Sequence, residues 1–191
     1  MTKKLLLLSL LAFVLSFCFC TDHRIYEIKG TLPDDIYNGE YVFLLPLDGV
    51  MPRIIDSVQV ENKSFVFTGK ADSAQVKIIR LRPQLRLDIQ ELLVVQEPGE
   101  KIWVKLDSLS SSGGTRQNES LQAWKEAKMK ADQTMFILRQ MNTADVNDST
   151  KVIITEQWEK VQKDFLEFNK RFIEENAGTA VGRFVKQMSG E

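Results

Sequence analysis

Ile54-Ile55-Asp56-Ser57-Val58-Gln59-Val60-Glu61-Asn62-Lys63-Ser64-Phe65-Val66-Phe67-Thr68 is the stretch on which the fold turns. Residues 54–60 and 64–68 alternate in polarity with a period of two, which lets one face of each strand be buried. Glu61-Asn62-Lys63 between them is short enough for a compact turn, with Asn62 the residue best suited to positive φ. The stretch therefore reads as a β-hairpin. Tyr26 to Gly30, Val76 to Leu81 and Ile102 to Leu106 add further strands. Tyr41-Val42-Phe43-Leu44-Leu45 and Leu92-Leu93-Val94-Val95 are unbroken apolar runs, which predict strands covered on both faces. Turn residues at Pro33-Asp34-Asp35, Asp48-Gly49, Gly69 and Glu97-Pro98-Gly99-Glu100 separate them. Short strands at this spacing, with no helical pattern between them, predict an antiparallel β-sandwich or a partly open barrel.

Beyond residue 115 the period changes. Ile154, Trp158, Val161, Phe165, Phe168 and Phe172 recur at steps of four and three, one stripe of a helix, which Leu166 and Ile173 broaden. Leu121, Trp124, Ala131, Met135 and Leu138 form a similar stripe upstream, interrupted by Lys128. Asn118-Glu119 and Asp148-Ser149 are the expected helix starts, and Gly178 the expected C-terminal stop. Asn142 to Asp148 is a short polar connection, so the helices fold back antiparallel. Val181, Phe184 and Val185 begin a third, short helix. Ser108-Leu109-Ser110-Ser111-Ser112-Gly113-Gly114-Thr115 divides the two halves as a linker. The expected fold class is α+β, with the helical hairpin packed on a face of the sandwich.

Upstream of both halves, Lys3 and Lys4 precede the apolar run from Leu5 to Phe19, a charged start and an apolar core in the order of an export signal. The run falls short of the roughly 20 apolar residues that span a bilayer. Cys18 and Cys20, the only cysteines, close it. Lipidation of either would tether the protein to an envelope membrane, in the periplasm or at the outer membrane; a simple secretory signal that leaves with its cysteines is the other reading. Residues 1–20 are thus read as a signal peptide of lipoprotein type, 21–112 as the sandwich and 113–191 as the helical hairpin. Setting Lys3 and Lys4 aside from 25 basic residues leaves 23 against 26 acidic, too even a balance for a nucleic-acid partner.

Chemistry is sparse. His23 is the one histidine, beside the expected cleavage site, so no histidine triad or histidine-rich metal site is expected in the folded core. Gly113-Gly114 lacks the lysine and helix context of a phosphate loop. Asp34-Asp35 and Glu174-Glu175 read as solvated pairs rather than catalytic dyads. No catalytic residue, cofactor or metal is expected. Trp158, Phe165, Phe168 and Phe172 read as hairpin core. Trp103 points opposite to Ile102 and Val104, and packing under the helices is its expected place. Asp-Ser occurs four times, ahead of Val58, Ala74, Leu109 and Thr150; with 12 Asp and 12 Ser, fewer than one such pair is expected by chance. Ser57, Ser73, Ser108 and Ser149 are therefore candidate O-glycosylation acceptors in an envelope protein. Against this, Asp-Ser also suits turns and caps, and Ser57 falls within a strand.

Tyr26-Glu27-Ile28-Lys29-Gly30, the hairpin from Ile55 to Gly69, Glu97-Pro98-Gly99-Glu100, and Gly114-Thr115 with Asn118 through Trp124 occur in an order that resembles a known module. It is similar to the domain of unknown function that precedes thioredoxin-like, peroxiredoxin-type domains in lipoprotein thiol–disulfide oxidoreductases of Gram-negative bacteria. Lys63 departs from that pattern, which usually has glycine there. In the family, a segment like Phe172 through Phe184 leads on into a redox domain with a Cys-x-x-Cys motif; no residue here matches that active site. The resemblance therefore implies a non-catalytic envelope module that binds a partner protein or an extracytoplasmic ligand. Two alternatives remain: the front half of an oxidoreductase whose redox domain is lost or separately encoded, and a carbohydrate- or lipid-binding envelope protein.

Overall fold

The structure is a computed structural model that describes residues 22–47, 54–142 and 145–190. The expected signal, Cys18, Cys20 and the Asp48-Gly49 turn lie outside the described residues. Among the described residues, eight strands and three α-helices follow in order: β1 (Ile25–Thr31), β2 (Tyr41–Pro46), β3 (Asp56–Gln59), β4 (Ser64–Lys70), β5 (Gln75–Arg80), β6 (Leu92–Gln96), β7 (Lys101–Lys105), β8 (Ser111–Gly113), α1 (Arg116–Met141), α2 (Asp148–Glu175) and α3 (Ala180–Ser189). The fold is α+β. Two four-stranded sheets, ordered β4-β1-β7-β8 and β3-β2-β5-β6, pack face to face. Their inner faces alternate as the period of two requires: Ile28, Phe65, Phe67, Ile102 and Val104 of the first meet Val42, Leu44, Ile79, Leu92 and Val94 of the second. With two distinct sheets, the architecture is the sandwich rather than the barrel.

Four features differ from the sequence-based expectation. β1 pairs with β7 in parallel, Ile28 opposite Ile102, in sheets otherwise antiparallel. The chain returns to the first sheet at β4 on one side of β1, leaves it again for β5 and β6 of the second sheet, and crosses back as β7 on the other side of β1. The supposed linker 108–115 holds a strand: β8 pairs with β7 and closes the edge of the first sheet. The outer face of β2 is covered only in part, with Tyr41 half exposed, because the helices pack over β5 and β6. Both helix starts also move. Thr115 caps α1, its Oγ1 accepting from the Asn118 N–H at 3.2 Å, and Asn147 caps α2.

The β1–β4 ladder shows why glycine stands where it does. Phe65 sits opposite Gly30 and Tyr26 opposite Gly69, one aromatic ring on each strand covering a bare backbone on the other. A Cβ on Gly30 would lie 1.9 Å from the Phe65 ring, and one on Gly69 2.8 Å from Tyr26 Oη. At the β3–β4 turn both Asn62 and Lys63 have positive φ, 50° and 58°. Lys63 holds this geometry because its N–H donates to Asn38 Oδ1 and its carbonyl accepts from the Leu32 N–H, both at 2.8 Å.

The helical layer is fastened to the second sheet by one residue. β6 is an edge strand, and Asn118 of α1 completes it: the Val95 N–H donates to Asn118 Oδ1, and Asn118 Nδ2 donates to the Val95 carbonyl, each at 2.8 Å. A carboxamide thus pairs with a strand as another strand would. Below it Leu121, Trp124, Val181, Phe184 and Val185 pack on Val95. Trp124 Nε1 donates to Asn169 Oδ1 at 2.9 Å, tying α1 to the antiparallel α2.

Two outcomes follow from these contacts. Lys63→Gly relieves a left-handed side chain but frees the unfolded chain, so it should stabilise by about 0.5–1 kcal/mol, a rise of about 1–3 °C in Tm by calorimetry. Asn118→Ala strands two buried peptide groups of β6 and should cost about 2–4 kcal/mol in urea denaturation; a loss under 1 kcal/mol would show the pairing to be dispensable.

Candidate functional site

A groove of about 820 Å³ lies between the outer face of the second sheet and α1 and α3. Ile78 and Leu93 form its floor, and Trp124, Met129, Phe184 and Met188 line it from the helices. Its position follows from the docking just described. Asn118 pins the start of α1 against β6, and the helix then crosses the outer face with one side turned to the opening. Met129, Lys125 and Gln122 fall on that side by helical spacing.

Lys125 gives the groove its character. Burial pushes the ammonium below lysine's usual 10.5, to about 8, with Glu126 opposing the shift. Its Nζ donates to Gln122 Oε1 at 2.8 Å, and Gln122 Nε2 donates to Glu126 Oε1 at 2.8 Å. Lys125 forms no ion pair among the described residues, whereas its neighbour Lys128 is neutralised by Asp132 at 2.6 Å. The arrangement is a groove with an apolar floor and a partly desolvated Lys125, with Lys128 and the carboxylates of Glu91, Glu126 and Asp132 on the same lining. A smaller hollow of about 360 Å³ lies at the far end of the hairpin, lined by Leu138, Ile154 and Trp158.

The residues singled out from the sequence are scattered over the surface. Ser57, Ser73, Ser108 and Ser149 are all exposed, on β3, in the β4–β5 turn, after β7 and in the first turn of α2. The N–H groups of Ser57 and Ser108 donate to the preceding Asp side chains at 2.8 and 2.7 Å, the local turn chemistry of Asp-Ser. His23 is exposed. Asp34 caps a 3₁₀ turn by accepting from the Ile36 N–H at 3.0 Å, while Glu174 and Glu175 are both exposed at the end of α2. Phe165, Phe168 and Phe172 stack along the hairpin, but Trp158 keeps 38 % of its surface exposed. Trp103 is not under the helices: it lies on the outer face of the first sheet, 51 % exposed, because the helical layer covers the other sheet. Among the described residues no cluster of His, Cys, Asp or Glu stands close enough to hold a metal ion. The residue that sequence reasoning missed is Lys125. Lys128 was the lysine seen to interrupt the apolar stripe, and nothing in the pattern shows that it would be paired and Lys125 desolvated.

Lys125 also sets a pH dependence. Between about 8 and 10.5 the unfolded chain binds more protons at this residue than the folded one, so its contribution makes stability rise with pH across that window. Below it the folded state carries the penalty in full. Lys125→Met should therefore stabilise at pH 7 by about 1–3 kcal/mol and flatten the rise, measured by urea denaturation from pH 7 to 10.5.

Searches of the curated proteins and of the solved structures find no match. A family model does match, over residues 26–121. The matched segment takes in all eight strands, the Glu97-Pro98-Gly99-Glu100 turn, the Thr115 cap and Asn118, and stops short of Lys125. It spans half of the chain, which therefore belongs to DUF4369, a family described as a domain of unknown function.

Proposed function

We propose that this chain is a non-catalytic binding module of a bacterial envelope, tethered to a membrane through a lipid on Cys18 or Cys20, and that its groove receives an extended segment of a partner protein. The observation that carries the reading is the groove beside Lys125. Its volume of about 820 Å³ falls within the size range of specific binding clefts. Its floor and helical wall stand on a sheet and two helices, while Leu47, Gln90, Glu91, Leu109 and Ser110 of the connecting loops complete its rim. An extended peptide supplies apolar side chains for Leu93, Met129 and Met188, and an acidic side chain or terminal carboxylate for Lys125.

A thioredoxin-like redox domain, in the same polypeptide or separately encoded, is the first partner to test. The likeness of the Tyr26–Gly30, hairpin and 97–100 motifs to modules ahead of such domains favours it. In that case the chain is the substrate-presenting or positioning part of a thiol–disulfide oxidoreductase.

Photo-crosslinking amino acids at Met129 and Met188, in the exporting bacterium, test the proposal. Leu87, which is 89 % exposed and does not line the groove, serves as the control position. One and the same partner should be trapped from both groove positions, and Lys125→Glu should abolish the adduct. Affinity of the purified complex should fall as pH rises from 7 to 9.5, because the cation is lost near 8. Equal trapping from Leu87, or adducts indifferent to Lys125→Glu, would sink the groove as the site. A thioredoxin-like protein in the adduct would select the redox reading.

A further inference from the structure

Trp103 stands in the middle of the solvent-facing side of the first sheet. Ile102 and Val104 point into the sandwich, so the indole between them points out. It is held in place nonetheless. A Cβ on Gly113, its cross-strand partner, would lie 2.5–3.0 Å from the indole ring, and one on Gly114 would lie 3.2 Å from its Cδ1. The ring therefore rests on two successive bare backbone units and keeps 51 % of its surface in water. Tyr26 over Gly69 and Phe65 over Gly30 use the same pairing inside the core, where burial accounts for it. Burial does not account for Trp103. A large ring fixed flat on an outer sheet face is a stacking platform.

The surroundings of the ring are cationic. Lys29 is in register with Trp103 on β1, while Lys101 and Lys105 flank it on β7, two residues away on either side and on the same face. Two carboxylates stand nearby: Glu27 opposite Lys101, and Asp107, which pairs with Lys105 at 2.9 Å. Lys29 and Lys101 make no ion pair among the described residues. Val66, directly across β1 from the same row, adds a low apolar shoulder.

We infer that this face binds an acidic saccharide, one pyranose ring stacking its C–H face on Trp103 while its carboxylate or sulfate meets Lys29 and Lys101. The flat platform suits a sugar ring, whose axial C–H bonds meet the electron-rich indole face. The two lysines add charge-assisted hydrogen bonds that a neutral sugar cannot make. The site is on the first sheet and stands whether or not the groove binds a partner.

Affinity electrophoresis of the exported protein, in gels containing polygalacturonate, chondroitin sulfate or dextran, tests it. Retardation is expected from at least one acidic polymer and not from dextran; which acidic polymer acts separates uronate from sulfate recognition. Trp103→Ala should weaken the interaction by about tenfold or more, and the Lys29→Gln/Lys101→Gln pair by a similar factor. Trp103→Phe should retain part of it. The exposed pair Lys160→Gln/Lys163→Gln on α2 should leave it unchanged, and all variants should melt within about 2 °C of the parent. Absence of retardation by both acidic polymers overturns the inference. So does equal retardation by dextran, indifference to Trp103→Ala, or an equal loss in the α2 lysine pair, which would mark unspecific charge attraction.

Discussion

Two hydrogen bonds between the Asn118 carboxamide and the peptide groups of Val95 join the two halves of this molecule. An edge strand leaves a row of unpaired peptide groups, and a helix cannot offer backbone partners for them, because its own are spent internally. An asparagine in the first turn of α1 supplies what the helix backbone cannot. The rest is arranged around that joint. Glu97 accepts from Gln117 Nε2 at 2.7 Å and from Thr115 Oγ1, while Gln117 Oε1 accepts from the Ala180 N–H at 2.9 Å. One short polar chain thereby sets the cap of α1, the edge of β6 and the start of α3. Buried polar networks are costly unless every member is satisfied, and here Asn118, at 0 % exposure, is satisfied on both ends of its amide.

The joint also explains where the groove and the exposed sheet face lie. Fixing the start of α1 against β6 lays the helix across the second sheet but leaves room beside it, and that room is the groove. On the first sheet, α1 meets the edge strand β8, where the Ser112 N–H donates to Gln122 Oε1 at 3.3 Å, and leaves the outer side of β7 at Trp103 exposed. That side is available to Trp103 and the lysines around it. The two surfaces thus differ in kind: one is concave, with an apolar floor and charged residues of both signs on its helical rim, and the other is an open sheet face with a single indole among several lysines. The family match ends within the first turns of α1. The shared part of the family is therefore the sandwich and its joint, and most of the helical side of the groove belongs to the segment beyond.

The architecture was legible because its signals were repetitive. Seven of the eight strands carry alternating or continuous apolar runs, and both long helices carry stripes. β8 was missed because Ser111-Ser112-Gly113 has no apolar pattern; it is a strand only because β7 offers an edge. The parallel β1–β7 pair was missed because periodicity reports which face is buried, not which neighbour is chosen. Asn118 was read as a cap, the role its residue type most often has, while Thr115 took that role and released the amide for β6. Gly69 was read as punctuation and Gly30 as the end of a strand, but the reason for each, an aromatic ring opposite it, exists only in the register. Lys125 had no sequence signal at all, since a lysine's charge is the same on paper whether its helix face meets water or a sheet.

The β1–β7 pairing has a consequence for the order in which the chain takes shape. β1 lies in the interior of its sheet, between β4 and β7, so its second neighbour is supplied only by residues 101–105. A chain that emerges N-terminus first, from a ribosome or through a membrane pore, must expose more than half its length before that sheet can close. Until then β1 and β4 form at most an open ribbon, and the sandwich core lacks Ile102 and Val104. Topology thus delays compaction of the first sheet until residues 101–105 are available to it.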